Sequence, residues 1–282
     1  MQRKTAWLMI ISVFILAVVF SGSSYYWHSS KNQESLSNQL QGEKEFLDFL
    51  AQKKKLLQTN EEVFLVANKI AYFWNNNDFE KSSTTTVYKE NYNIGSIISK
   101  SETADLDNNS IQEIYSLENG RIAISENSKI VWESPNNWWI DNFILADSNN
   151  NGVVDINLSL WKTGNFGPSK PFWVKKNDMS VKNHFFIFDF VSGAIKSIWG
   201  SSNLGMPNCE FKFADVDGDK KNDLIVIEGD YSQKPKCKGN YVAVWKWNDW
   251  GFSNEWRSEK GNFSNLEIEK IGTKNYIVVN SF

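Results

Sequence analysis

The sequence predicts an all-β fold, a β-propeller of four blades with four strands each, preceded by an N-terminal transmembrane helix and a helical stalk. Three observations predict it: an apolar run at the start of the chain, a polar Leu-striped segment after it, and an alternation of Trp-ended hairpins with acidic loops from about residue 61 onward. They divide the chain into 1–27, a membrane anchor or signal peptide; 28–60, a helical stalk or linker; and 61–282, the propeller.

Arg3 and Lys4 precede an uncharged stretch from Thr5 to Tyr26, apolar mainly between Ala6 and Phe20, with Tyr25, Tyr26 and Trp27 at its far edge. Positive charge before such a run and aromatics after it suit a helix that starts in the cytoplasm and places its C-terminal side outside. A cleaved signal peptide is the alternative, because the strictly apolar run is short and Val19-Phe20-Ser21 offers a small-residue cleavage site. The expected location is a single-pass membrane protein with an extracytoplasmic C-terminal domain, or a secreted one if the segment is cleaved. Both routes export the rest of the chain, where an isolated pair such as Cys209 and Cys237 is more often a disulfide than a redox or metal site.

Between residues 28 and 60 the chain turns Lys/Gln/Glu-rich, with Leu36, Leu40, Leu47, Leu50 and Leu57 at three- and four-residue multiples. That spacing fits an amphipathic helix, read here as a solvated spacer, since too few uninterrupted heptads exist for a coiled coil.

From Glu61 two units recur. One is a hairpin ending in Trp, at Trp74, Trp132, Trp199 and Trp256; the other is a strand, an acidic loop and a second strand, lying between successive hairpins. Four strands per period of roughly 40 to 60 residues is a blade-like repeat, which buries its faces only by packing on neighbours. The chain enters with residues 63–74, taken as a hairpin, and leaves with the strand pair in 266–280; together these halves would complete a fourth blade and remove open sheet edges. A two-sheet sandwich is the competing architecture.

With 41% hydrophobic and 15% aromatic residues the chain is too apolar to be disordered, and 282 residues give room for a sizeable core. Net charge is −3, and the only basic block is Lys53–Lys55, which excludes nucleic acid as an expected partner.

The acidic loops carry the chemistry. In DVDGDKKND, side-chain oxygens recur at Asp215, Asp217, Asp219 and Asp223, and Gly218 permits the sharp turn that aims them inward. Calcium takes six to eight hard oxygen ligands in a flexible cage, which these four with the Lys221 carbonyl and water would supply. The same frame recurs at Asp105, Asp107, Asn109 and Glu113, and at Asp147, Asn149, Asn151 and Asp155. Amides in place of carboxylates keep the oxygens but lower the charge, so Ca2+ is expected to bind most tightly at Asp215 and most weakly at Asp147. Asx-rich turns without metal are the bland alternative for each loop taken singly.

At ADVDGDKKNDLIVI, residues 214–227, the chain resembles the FG-GAP/VCBS repeat family, whose calcium loops read D-x-D-G-D-x-x-x-D before an apolar strand. The Asp105 and Asp147 loops are looser matches, and LEIEKIGTKNYIVV has lost the ligands. The resemblance implies an extracellular calcium-binding propeller, a type found in adhesins, receptors and polysaccharide-processing proteins.

Catalysis has little to stand on. His28 and His184 are the only histidines, the cysteines are expected to be paired, and no phosphate loop or zinc-type spacing is present. The sequence therefore points to a non-catalytic binding, adhesion or scaffold module at the cell envelope, tethered to the membrane through its N-terminal helix and recognising a protein or polysaccharide. A secreted polysaccharide-active lyase or hydrolase on the same scaffold is the alternative. Among the aromatics near turns, Trp138, Trp139, Trp245, Trp247 and Trp250, the last is the best surface candidate.

Overall fold

A computed structural model describes residues 34–57, 62–82, 87–93, 99–166 and 177–282, giving the backbone alone for 62–67 and 87–93. The anchor expected over 1–27 lies outside these residues. Among the described residues no helix is long and apolar enough to cross a membrane. The expected membrane partner and single-pass location are corrected accordingly. The disulfide between Cys209 and Cys237 points instead to an oxidising, extracellular environment, as for a secreted protein.

One helix, α1, covers 34–57, and the chain divides within it into two compact units, Met1–Lys44 and Glu45–Phe282. In the second unit the helix buries Phe46 and Phe49 in a cluster with Trp139, Trp161 and Val181. Of the Leu stripe, Leu50 and Leu57 pack against this cluster, whereas Leu36, Leu40 and Leu47 are exposed. Lys53 donates to Asp141 at 2.8 Å, and Asp141 also accepts from the indoles of Trp139 and Trp161, so both oxygens of this half-buried carboxylate are engaged.

Strands β1 (Glu62–Asn75), β2 (Asp78–Ser82) and β3 (Val87–Asn93) open the sheet region. Residues 63–74, expected to form a hairpin, are one continuous strand, and the turn falls later, at Asn76, which takes φ 61°. The next sheet runs in order β4 (Ser99–Ala104), β5 (Glu113–Glu118), β6 (Arg121–Glu126), β7 (Lys129–Glu133). A second four-stranded sheet is built from β8 (Trp139–Ala146), β9 (Asp155–Thr163), β10 (Val181–Val191) and β11 (Ala194–Gly200). The chain then makes β12 (Asn208–Ala214), β13 (Asp223–Gly229), β14 (Gly239–Trp247), β15 (Phe252–Arg257), β16 (Phe263–Ile271) and β17 (Lys274–Ser281).

These last strands join β1, β2 and β3 in one nine-stranded sheet, ordered β12-β13-β14-β16-β17-β1-β2, with β15 on β14 and β3 on β1. The expected propeller of four separate four-stranded blades is therefore corrected to three sheets, of four, four and nine strands. The physical cause is local. Gly239 pairs with Phe263, and a Cβ at Gly239 would lie 2.3 Å from the Phe263 carbonyl oxygen, so only glycine lets β14 and β16 come together as one sheet. The two ends of the described sheet region do pair, Asn68 with Ser281 through Tyr72 with Ile277.

Inward residues keep the two-residue period of a strand. On β5 these are Glu113, Tyr115 and Leu117, whereas all of β9 up to Lys162 is buried, as befits a strand covered on both faces. One apolar cluster joins the two four-stranded sheets through Ile124, Phe143, Leu158 and Phe186. Another joins the second of them to the nine-stranded sheet through Phe185, Ile187, Phe211 and Val226. A third fills the nine-stranded sheet around Ile225, Val244, Ile277 and Val279.

Candidate metal centres

The three connections β4–β5, β8–β9 and β12–β13 each carry a nine-residue acidic frame, and all three fold alike. The first carboxylate accepts backbone N–H groups from later in its own loop: Asp105 from Asn109 and Ser110, Asp147 from Asn151 and Gly152, Asp215 from Gly218 and Lys220. The third residue caps the N–H of the fifth, and the fifth caps that of the seventh, as with Asp217 to Asp219 and Asp219 to Lys221. Left-handed backbone occurs at the fourth and sixth positions each time: Asn108 and Ser110, Asn150 and Gly152, Gly218 and Lys220. Asn and Gly accommodate that region most easily, which explains their place in the frame.

The ninth residue opens the next strand and sits at its buried end. Glu113, Asp155 and Asp223 are each at most 1% exposed. One oxygen of each takes the N–H of the second loop residue, from Leu106 at 2.9 Å, Ser148 at 3.2 Å and Val216 at 3.1 Å. In two of the loops the other oxygen, Glu113 Oε1 or Asp155 Oδ1, is buried with no hydrogen-bond partner. Burial pushes the Asp155 carboxyl up to about 6 and that of Asp223 up to about 7, with Asp189 of β10 and Asp147 adding to the first and Asp217 and Asp219 to the second.

Ligand oxygens of Asp105, Asp107 and Glu113 lie within 4.8 Å of one another, as do those of Asp215, Asp217 and Asp223. The structure does not bring Asp219 into the second group. It pairs instead with Lys246 of β14 at 3.2 Å, and the same ammonium holds Asp217. Burial alone would raise the Asp219 carboxyl, but the Lys221 N–H and the Lys246 ammonium outweigh it and hold it below the usual carboxylate range. Lys246 escaped the sequence reading because nothing in Trp-Lys-Trp on a distant strand marks it as a loop neighbour. In the Asn-rich loop, Asn149 and Asn151 cap backbone groups at 3.1 and 2.7 Å, and Asp147 and Asp155 supply the only carboxylates of the frame.

Side chains tie each loop to the next part of the chain. Gly193 N–H reaches Asp107 at 3.0 Å, Asn222 and Asn150 exchange hydrogen bonds between the second and third loops, and Asn275 donates to the Asp215 carbonyl. The second and third loops are therefore joined directly, while the first is tied to the β10–β11 turn and the third also to β17.

Elsewhere, His184 is fully buried on β10 and cannot meet a substrate, and both cysteines are bonded. Trp139 is buried, whereas Trp250 is 79% exposed at the β14–β15 turn. Comparison of the chain with protein-family models, curated proteins and solved structures finds no match, so the likeness to FG-GAP/VCBS repeats stays one of loop sequence.

Proposed function

We propose that this chain is a calcium-stabilised, non-catalytic binding or scaffold module of an oxidising compartment. The observation that carries the proposal is the pair of orphaned buried oxygens, Glu113 Oε1 and Asp155 Oδ1, in the same place of two loops. A buried carboxylate oxygen with no donor costs several kcal/mol in principle, and a cation is the natural partner for it. The residues that would hold the ion are Asp105, Asp107, Asn109 and Glu113; Asp147, Asn149, Asn151 and Asp155; and Asp215, Asp217 and Asp223 with the Lys221 carbonyl, Asp219 joining only when Lys246 releases it. All offer hard oxygen, which suits calcium better than softer metals. Linked loops would spread the effect of binding from one sheet to the next. The polysaccharide-active alternative calls for a basic group facing two free carboxylates. The described pocket instead sets Arg257 against a single carboxylate, Glu228, which it already holds through two hydrogen bonds.

Calorimetry decides the metal. At a calcium concentration a hundredfold above Kd, binding to the folded state alone adds about 2.7 kcal/mol, which raises the melting temperature of a domain this size by roughly 5 to 10 °C. Glu113→Gln keeps the shape and removes the charge, and should cancel a large part of that rise. Magnesium should substitute poorly, since it demands a tighter octahedral shell. A wild-type melt indifferent to calcium, magnesium and chelator alike would sink the proposal.

A further inference from the structure

Between β10–β11 of the second four-stranded sheet and β13–β15 of the nine-stranded sheet lies a pocket of roughly 200 Å³. Alternate residues of β13 make its floor: Leu224, Val226 and Glu228 share one face of the strand and grade from apolar to charged over about 13 Å. Aromatic rings of Phe185, Trp199 and Phe252 wall the Leu224 end. At the other end Glu228 is 2% exposed and spends its acceptors on Arg257 Nε at 2.7 Å, Arg257 Nη2 at 3.1 Å and Trp245 Nε1 at 3.1 Å. The pair is thus charge-balanced, which disfavours a second full charge beside it.

Two polar groups at that end remain uncommitted. Arg257 Nη1 has no hydrogen bond to any described residue. Asn208, paired with Glu228 across β12 and β13, is 7% exposed, and only its backbone is bonded, to Asn183 Oδ1 and Ser159 Oγ. Asn208 lines the pocket, and an amide there with no side-chain hydrogen bond among the described residues is where a ligand group is expected.

We propose that this pocket binds a neutral aromatic ring carrying one hydrogen-bonding group, the ring against Trp199 and Phe252 and the polar group on Asn208 and Arg257. A saccharide is a poor fit, because its hydroxyls would meet Leu224, Val226 and Met206 unpaired. A free aromatic molecule and an aromatic side chain of another protein share the required chemistry.

Met206 lines the pocket and makes the site readable in the full chain by methionine-methyl NMR, with Met179, which does not line it, as the internal control. Acetophenone tests a free ring, and N-acetyl-tryptophanamide tests a side chain. Either should shift Met206 saturably with a Kd on the order of 1 mM, as befits the roughly nine non-hydrogen atoms of acetophenone or of an indole ring, and leave Met179 in place. Glucose should do nothing, and benzoate should bind at least tenfold more weakly than acetophenone. Val226→Trp should fill the floor and abolish the shift. Should that variant not fold, Asn208→Leu, which removes only an unpaired amide, should weaken acetophenone about tenfold. No Met206 shift from either aromatic probe would overturn the site; glucose binding or unchanged acetophenone affinity in Asn208→Leu would overturn its chemistry.

Discussion

His184 shows how much one side chain can say about pH. It is fully buried, its Nδ1 lies 3.4 Å from the Ser201 carbonyl, its Nε2 has no partner, and its ring packs on Phe186. Burial, reinforced by the nearby Lys162 ammonium, pulls its pKa down to about 3 from an ordinary 6.5. Lys162 itself is lowered by burial to about 8, though it donates to the carbonyls of Gly164 and Phe166. The unfolded chain therefore takes up a proton on His184 between pH 6.5 and 3 that the folded protein refuses. The contribution to stability is present above 6.5 and is lost as pH falls toward 3, at up to about 1.4 kcal/mol per pH unit. Replacing His184 by Leu should remove that slope while carboxylate effects remain in both proteins. Urea denaturation at pH 4, 5, 6 and 7 tests it: parallel profiles for wild type and variant would contradict the assignment.

At the scale of elements, the acidic loops were legible because their carboxylates and amides lie within nine consecutive residues, and the alternation that places them is local chemistry. What was not legible was tertiary. Lys246 stands 29 residues from the Asp217 it pairs with, on another strand. The helix was foreseen, and Leu50 and Leu57 of its stripe do pack on the buried cluster, but Phe46 and Phe49 were missed because they gain their value only from the Trp139–Trp161 surface. Likewise β1 reads as a hairpin until β3 and β17 pair along its length. Lys246 also bears on the expected affinities. The most acidic loop already holds an internal cation, which a divalent ion must displace. Lys246→Met should free Asp217 and Asp219 and raise calcium affinity there roughly fivefold to tenfold, the scale of one part-buried ion pair. Isothermal titration of both proteins would show it, and an unchanged or weaker affinity would mean that Lys246 does not compete.

For the whole molecule, the decisive feature is continuity of the nine-stranded sheet through β16 and β17, which stand between β14 and β1. The sequence suggested that the two ends of the sheet region belong together, and they do pair. It did not reveal that Gly239 fuses two strand groups, because a close backbone approach leaves no periodic signature. Ile277, Val278 and Val279 on β17 are almost wholly buried, so the last strands fill the middle of that sheet. Removing residues 264–282 should bare the edge of β1 along Asn68–Tyr72 together with the apolar cluster beside it, and an open edge of that kind associates. The truncated protein should partition into the insoluble fraction. A milder test keeps the chain intact. Gly239→Ala would force a methyl group against both the Phe263 carbonyl and Ile227, each 2.3 Å from the added carbon. Backbone must move to relieve it, at a cost of about 2 kcal/mol or more. Because the strain falls where β14 meets β16, hydrogen exchange should quicken first in β16 and β17, while the β4–β7 sheet stays protected. Uniform exchange across all three sheets, or a melt equal to wild type, would show that the Gly239–Phe263 junction does not hold the sheet together.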